Sequence, residues 1–102
     1  MIKVVVACGG GIFTTSVVTD RLEEIMKKNK IRHTITPHKI TEIPSITGED
    51  LIVVTGKTSA TNDEGIPVMI GISLFTGVGE EEFTEEFLAK VKEIEETKGQ
   101  NG

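Results

Sequence analysis

The chain's single cysteine, Cys8, directly precedes three consecutive glycines, and three hydroxyl residues follow at positions 14–16. Glycine loses more backbone freedom on folding than any other residue, so three in a row indicate that the backbone must approach something closely. Backbone N–H groups of a glycine-rich turn and of a following helix can converge on an anion. A helix N-terminus also stabilises a nearby thiolate, which is the nucleophilic form of cysteine. Cys8 is therefore predicted to be a nucleophile beside a phosphate-binding loop.

Other interpretations of this loop fit the sequence less well. A lone cysteine is often a small buried hydrophobic residue, but Cys8 opens the connection between a predicted strand and a predicted helix. No lysine follows the glycines, as the GxxxxGK[ST] nucleotide motif requires, and the spacing is not GxGxxG. A redox sensor often carries a second, resolving cysteine, which this chain lacks. The loop pattern favours phosphate chemistry.

The elements that position this loop can be predicted from the hydrophobic pattern. Residues 2–7 form a short β-branched run typical of a buried strand. Apolar residues recur at helical spacing from residue 15 to about residue 29, and one of the hydroxyls at 14–16 is expected to cap this helix. Further strands are predicted at 31–40, 50–56 and 66–72, a turn of helix at 41–46, a polar loop at 58–65, and a helix at 80–97.

This order of elements predicts an α/β fold: a small four-stranded parallel open sheet with helices on both faces. We expect one domain over residues 1–97, followed by a frayed, flexible tail at 98–102. Ligands of such sheets bind beyond the carboxyl ends of the strands. The loop after the first strand, which begins at Cys8, lies at that edge.

The composition disfavours several kinds of partner. The net charge is −5 and the aromatic residues are four phenylalanines, so a nucleic-acid partner is not expected. No apolar run approaches the roughly 20 residues that cross a bilayer, and no signal peptide is recognisable. One cysteine makes no internal disulfide, which suits a reducing compartment. We expect a cytoplasmic protein without direct membrane insertion, and no metal or cofactor, because no ligand cluster accompanies the loop.

The loop sequence ACGGGIFTTS resembles the phosphorylation loop of enzyme IIB components of the bacterial phosphoenolpyruvate-dependent sugar phosphotransferase system, most narrowly the galactitol-specific branch. The likeness covers nearly the whole chain and includes TEIPSI, DLIVVTGKT and GIPVMIGISLFTGVGEEEF. It implies a four-stranded parallel sheet similar to the low-molecular-weight tyrosine phosphatase fold. It also implies that Cys8 accepts a phosphoryl group from a phosphohistidine of the IIA component. Cys8 then passes this group to a sugar or polyol, galactitol by resemblance, held by the membrane component IIC.

Phosphoryl transfer requires in-line attack and stabilisation of negative charge on three equatorial oxygens. Cys8 is the attacking and then the leaving atom in this scheme. The predicted phosphate ligands are backbone N–H groups and hydroxyls of the residues that follow it: Gly9, Gly10, Gly11, Ile12, Phe13, Thr14 and Thr15.

The alternative is a cysteine phosphatase or arsenate reductase on the same fold. Such phosphatases resemble C-x5-R-[ST], in which the arginine grips the phosphate bidentately. Thr14 occupies the arginine position here, and the only acid in view for a leaving alcohol is Asp63 in the polar loop. The missing hydrolytic groups favour a carrier that keeps its phosphocysteine until the acceptor arrives.

A few further residues are secondary candidates for assisting phosphate transfer or the docking of a partner. Lys57 follows the third strand and could add positive potential near a phosphate; His33 and His38 flank the second strand and are expected to face solvent. The basic stretch 27–33 could steer an acidic partner. Ile12, Phe13 and Phe75 could form an apolar collar for docking IIA or IIC.

Overall fold

The computed structural model of the chain describes residues 2–9, 12–56 and 60–101, without the side chains of 12–15 and 98–101. Four strands and three α-helices are present in this part of the chain, with one 3₁₀ helix, Ile40–Ser45, after the second strand. The strands are β1 (Ile2–Cys8), β2 (His33–Lys39), β3 (Leu51–Val54) and β4 (Val68–Ile70). The α-helices are α1 (Ile12–Lys28), α2 (Ser73–Thr76) and α3 (Glu80–Asn101).

The strands form one sheet in the order β2-β1-β3-β4, and every pair of neighbours is parallel. This arrangement confirms the predicted four-stranded parallel open sheet. Because β1 is central, its carboxyl end lies between those of β2 and β3, with Cys8 opposite Lys39 and Ala7 opposite Val54. Pro37 is accommodated because β2 is an edge strand, where a missing N–H donor leaves no ladder bond unmade.

The two central strands are buried on both faces, which explains their continuous apolar runs. One face packs against the three α-helices, and the other against the 3₁₀ helix and the segment that follows β3. The first cluster joins Ile2, Val4, Val6, Leu51 and Val53 to Val18, Leu22, Met26, Leu74, Phe83, Phe87 and Val91. The second joins Val5, Ala7, Ile52 and Val54 to Ile43 and Ile46. The predicted helices on both faces are confirmed, the 3₁₀ helix being the one on the second face.

Two predicted helix boundaries are wrong, and one short helix was not predicted. α1 begins at Ile12, three residues before the predicted start, so the hydroxyls at 14–16 lie inside the helix and cannot cap it. α3 continues to Asn101, beyond the predicted end at residue 97, because extending an established helix fixes fewer dihedrals per hydrogen bond than starting one. α2 was not predicted, since four residues are too few to show a helical period.

Asn62 ties the segment after β3 to the 3₁₀ helix. Its amide donates to the carbonyls of Ile43 at 2.7 Å and Ile46 at 2.8 Å. Its side-chain oxygen accepts the N–H groups of Glu64 at 2.9 Å and Ile66 at 3.3 Å. The predicted polar loop therefore contains a buried polar side chain that holds two irregular segments together over the second face of the sheet.

Candidate functional site

Cys8 is the last residue of β1 and is half-buried, at the carboxyl edge of the sheet. Gly9 follows it and is exposed; a Cβ at Gly9 would lie 3.4 Å from the Cδ1 atom of Ile40, at the start of the 3₁₀ helix. Gly10 and Gly11, which complete the predicted phosphate loop, lie outside the described residues. The cysteine thus lies where open parallel sheets bind their ligands.

The N-terminus of α1 follows Cys8 closely, since only residues 9–11 separate β1 from Ile12. The N–H groups of Ile12, Phe13 and Thr14 belong to the first turn and have no carbonyl one turn earlier to bond. This turn contains no acidic residue, so the positive end of the helix dipole is not neutralised there. The first turn of α1 supplies donors and positive potential suited to an anion. The side chains of Ile12, Phe13, Thr14 and Thr15 lie outside the described part.

Thr55 is a residue of this edge that the sequence analysis did not single out. It follows β3 and is 6% exposed. Its N–H donates to the carbonyl of Ala7 at 3.0 Å, and its hydroxyl donates to the same oxygen at 3.4 Å. The signal in the sequence is a threonine that continues the fully buried run Leu51–Val54, where another valine would pack as well.

The end of β2 brings charged side chains to the same edge. Lys39 pairs with Cys8 in the sheet, and its N–H donates to Oε1 of Glu42 at 2.8 Å. His38 Nδ1 lies 3.6 Å from the same oxygen. The hydrogen bond from Lys39 is the main reason that the pKa of Glu42 is lowered from its usual value, and the charge of His38 contributes. Of the two histidines, His38 therefore lies at the edge that carries Cys8.

Another of the secondary candidates, His33, lies away from this edge. His33 begins β2, at the opposite edge from Cys8, and its Nδ1 is 2.9 Å from the carbonyl of Ile31. Lys57 lies outside the described residues. Asp63 is exposed in the loop over the second face, and its backbone N–H donates to the carbonyl of Pro44 at 3.1 Å.

Both arginines of the chain lie away from the cysteine. Arg21 is nine residues into α1, where its guanidinium forms exposed ion pairs with Glu24 at 3.9 Å and Glu80 at 3.8 Å. Arg32 immediately precedes β2, at the amino edge of the sheet. No arginine is available at this edge to grip a phosphate bidentately.

Apolar side chains are exposed on α1, on α2 and in the segment before α3. Phe75 of α2 is 46% exposed and Val78, before α3, is 79% exposed; Val17 of α1 is also exposed. α2 contacts α1. Of the predicted apolar collar, Phe75 is thus an exposed residue on an element beside α1, while the side chains of Ile12 and Phe13 are outside the described part.

Comparison with known proteins identifies the family. Residues 3–86 match the family model described as the lactose/cellobiose-specific IIB subunit of the phosphotransferase system. The chain belongs to this IIB family. A protein of Escherichia coli (strain K12) described as the phosphotransferase enzyme IIB component SgcB is 33% identical over 90 residues, which cover 87% of this chain and 96% of SgcB. The galactitol-specific EIIB components of Escherichia coli (strain K12) and Shigella flexneri are each 27% identical over 78 residues, covering 76% of this chain and 82% of theirs.

Membership confirms the predicted class of enzyme: this IIB chain is a component of a sugar phosphotransferase. IIB components work together with IIA and IIC components. None of the helices in the described ranges is both long and apolar enough to span a bilayer. Within the same ranges, no three His, Cys, Asp or Glu side chains are grouped to hold a metal ion.

Proposed function

We propose that Cys8 carries the phosphoryl group in this IIB protein, and that a polyol or sugar, galactitol by resemblance, is the final acceptor. The observation that carries the proposal is the position of Cys8 at the carboxyl end of the central strand β1, separated by three residues from Ile12, the first residue of α1. The thiolate attacks the phosphorus of a phosphohistidine on IIA. The sulfur–phosphorus bond forms as the nitrogen–phosphorus bond breaks, and the imidazole nitrogen keeps the electron pair.

The proposed phosphate ligands are the groups at residues 9–15. The backbone N–H groups of the first turn of α1 are the donors that the described structure supports, because they lie beside Cys8 in sequence and lack intrahelical acceptors. Donors fixed before the reaction stabilise the charge that spreads over the equatorial oxygens without first having to reorganise. The hydroxyls of Thr14 and Thr15 complete the proposed set. In the second step a hydroxyl of the acceptor attacks phosphorus; the oxygen–phosphorus bond forms as the sulfur–phosphorus bond breaks, the sulfur of Cys8 leaves as a thiolate with the electron pair, and the hydroxyl proton passes to water.

The cysteine phosphatase alternative is disfavoured because neither arginine of the chain lies beside Cys8. A cysteine phosphatase holds its phosphate with a bidentate arginine, whereas Arg21 and Arg32 of this chain lie on the flank of α1 and at the amino edge of the sheet. Thr14 stands in the arginine position of the phosphatase motif. These observations support transfer to an acceptor rather than to water.

The test of the carrier role is mass spectrometry after incubation with the upstream phosphotransfer proteins and phosphoenolpyruvate. Wild-type protein is expected to gain one phosphoryl adduct, and Cys8→Ser and Cys8→Ala are both expected to gain none. Asp63→Asn serves as the matched control and is expected to be phosphorylated like wild type. An adduct that persists in both Cys8 variants contradicts the assignment, and continuous release of inorganic phosphate by wild type supports the phosphatase.

The partners and the acceptor are proposed from the relatives. The names of two relatives state galactitol specificity, so we expect a cytoplasmic protein that takes phosphate from a IIA component and meets its polyol at a membrane IIC component. Phosphorylated protein mixed with membranes that contain a galactitol-specific IIC is expected to form galactitol phosphate. Membranes with a cellobiose-specific IIC are the comparison, and transfer only in that sample overturns the galactitol assignment.

A further inference from the structure

Thr55 has a hydroxyl that packing does not require. It is one of two buried polar side chains in the described part of the chain; the other, Asn62, makes four hydrogen bonds shorter than 3.4 Å. The Thr55 hydroxyl instead donates at 3.4 Å to the Ala7 carbonyl, which already accepts the Thr55 N–H at 3.0 Å. Hydroxyl hydrogen bonds are usually near ~2.8 Å, so this one is weak.

The register of the sheet places this hydroxyl next to Cys8. Side chains alternate along a strand, and Val4 and Val6 of β1 face the helical cluster together with Val53 of β3. By the same alternation Cys8 and Thr55 project to that face. The bond from the Thr55 N–H to the Ala7 carbonyl continues the ladder beyond β3, so the two residues are neighbours on adjacent strands about 5 Å apart.

We propose that the Thr55 hydroxyl donates a hydrogen bond to the Cys8 sulfur when that sulfur is a thiolate, and so tunes its reactivity. A bond to an anion is roughly twice as strong as a bond between neutral groups. The hydroxyl therefore exchanges its long bond to the Ala7 carbonyl for the thiolate by rotation about one side-chain bond. This inference rests on the proposed role of Cys8 as nucleophile.

The test measures the alkylation rate of Cys8 by iodoacetamide from pH 5 to pH 10 in wild type, Thr55→Val and Thr55→Ser. Loss of the hydroxyl in Thr55→Val is expected to lower the thiolate fraction about tenfold on the acidic side of the profile. A thiolate that lacks the hydrogen bond is intrinsically more nucleophilic, with a Brønsted slope of about 0.4–0.5. The variant is therefore expected to react about threefold slower than wild type at low pH and about threefold faster at high pH.

This crossing of the two profiles separates tuning from packing. A cavity or a loosened strand changes access to the sulfur and moves the rate in one direction at every pH. Thr55→Ser keeps the hydroxyl and loses a methyl group, so it is expected to retain the wild-type profile. The charged groups of the neighbouring elements are the same in all three proteins, so they do not cause a difference between the profiles. These groups are Lys39 and His38 of β2 and Glu42 of the 3₁₀ helix. The first turn of α1 has no acidic residue, and α2 has no charged residue.

If the pH profiles of the alkylation rate for Thr55→Val and Thr55→Ser are parallel to each other, the inference is overturned. Urea unfolding of each variant accompanies the measurement, and Thr55→Val is expected to stay folded because valine has the same shape. The alkylation assay uses no phosphoryl donor, so its outcome is independent of the proposed function. If the alkylation profiles cross but the wild-type protein is not phosphorylated, the carrier role is rejected and the hydrogen bond from Thr55 to Cys8 is retained. If the wild-type protein is phosphorylated but the profiles do not cross, the hydrogen bond is rejected and the carrier role is retained.

Discussion

Replacing Asn62 tests how the irregular segments over the second face of the sheet are held. Its side chain makes four hydrogen bonds, to the backbone of Ile43, Ile46, Glu64 and Ile66. At about 1 kcal/mol net for each bond, the upper limit of the contribution is about 4 kcal/mol. Asn62→Ala is expected to lower the free energy of unfolding by about 2–4 kcal/mol, because truncation also leaves buried backbone groups without partners.

Asn62→Asp sharpens the test because the two residues have the same shape. The amide nitrogen is replaced by an oxygen that faces the carbonyls of Ile43 and Ile46, now 2.7 and 2.8 Å from the nitrogen. Repulsion favours the protonated acid in the folded protein, so the pKa of this aspartate is expected to rise above the unfolded value of about 3.9. The folded state then binds more protons than the unfolded state above that pH, and stability relative to wild type falls as pH rises from about 4 toward 7.

The assay is urea unfolding of wild type, Asn62→Ala and Asn62→Asp at pH 4 and pH 7, with Asp63→Ala as the matched control. Asp63 is the exposed neighbour, and the hydrogen bond that fixes its position is donated by its backbone, which the alanine keeps. The control is expected to stay within about 0.5 kcal/mol of wild type. If Asn62→Ala is no less stable than the control, or if Asn62→Asp shows no extra loss at pH 7, the reasoning about these four bonds is refuted.

Two further predictions concern a close packing contact and an exposed carboxylate. A Cβ added at Gly71 would lie 2.5 Å from Cγ1 of the buried Val53, so Gly71→Ala is expected to lower the free energy of unfolding by about 1–3 kcal/mol. Gly56→Ala, whose Cβ meets nothing within 4 Å, is the control for the same urea titration. The pKa of Glu42 is lowered chiefly by the N–H of Lys39, so its stabilising effect is present above the unfolded pKa and lost as pH falls through the folded pKa. Glu42→Gln is expected to unfold at a lower temperature than wild type at pH 7, and this difference is expected to shrink as pH falls below the unfolded pKa of glutamate; a difference that does not change with pH contradicts this.

The sheet could be predicted from the sequence because its central strands carry a signal that is entirely local. The apolar runs that became β1 and β3 are long enough to be recognised, and each ends at the edge where a loop begins. β4 was expected over 66–72 and covers Val68–Ile70. Hydrogen bonds from the Ile52 N–H to the Pro67 carbonyl at 2.9 Å and from the Gly71 N–H to the Val54 carbonyl at 2.7 Å flank these three residues, so the expected strand exceeds the paired one by two residues at each end.

The site could be predicted only in the part that is contiguous in the chain. Cys8 and its glycines form a motif that local chemistry explains. Thr55 and Lys39 join it through strand register, since β1 lies between β2 and β3. Thr55 is marked in the sequence only as a threonine that continues a buried apolar run, and Lys39 has no local pattern that distinguishes it from any lysine at a strand end. Their proximity to Cys8 becomes visible once the order of the strands is known.

Under the proposed carrier role, the groups around Cys8 help to explain why the phosphoryl group would pass to an acceptor and not to water. Catalysis requires donors that bind the transition state more tightly than the bound phosphocysteine. A permanent bidentate arginine holds both strongly, whereas Arg21 of this chain is engaged by two glutamates on the flank of α1. In the described structure, the donors that lie next to Cys8 in sequence are the neutral N–H groups of the first turn of α1. In the proposed carrier, these donors orient the phosphoryl group, and we expect the partner to complete the charge stabilisation, so that rapid transfer depends on the partner's arrival.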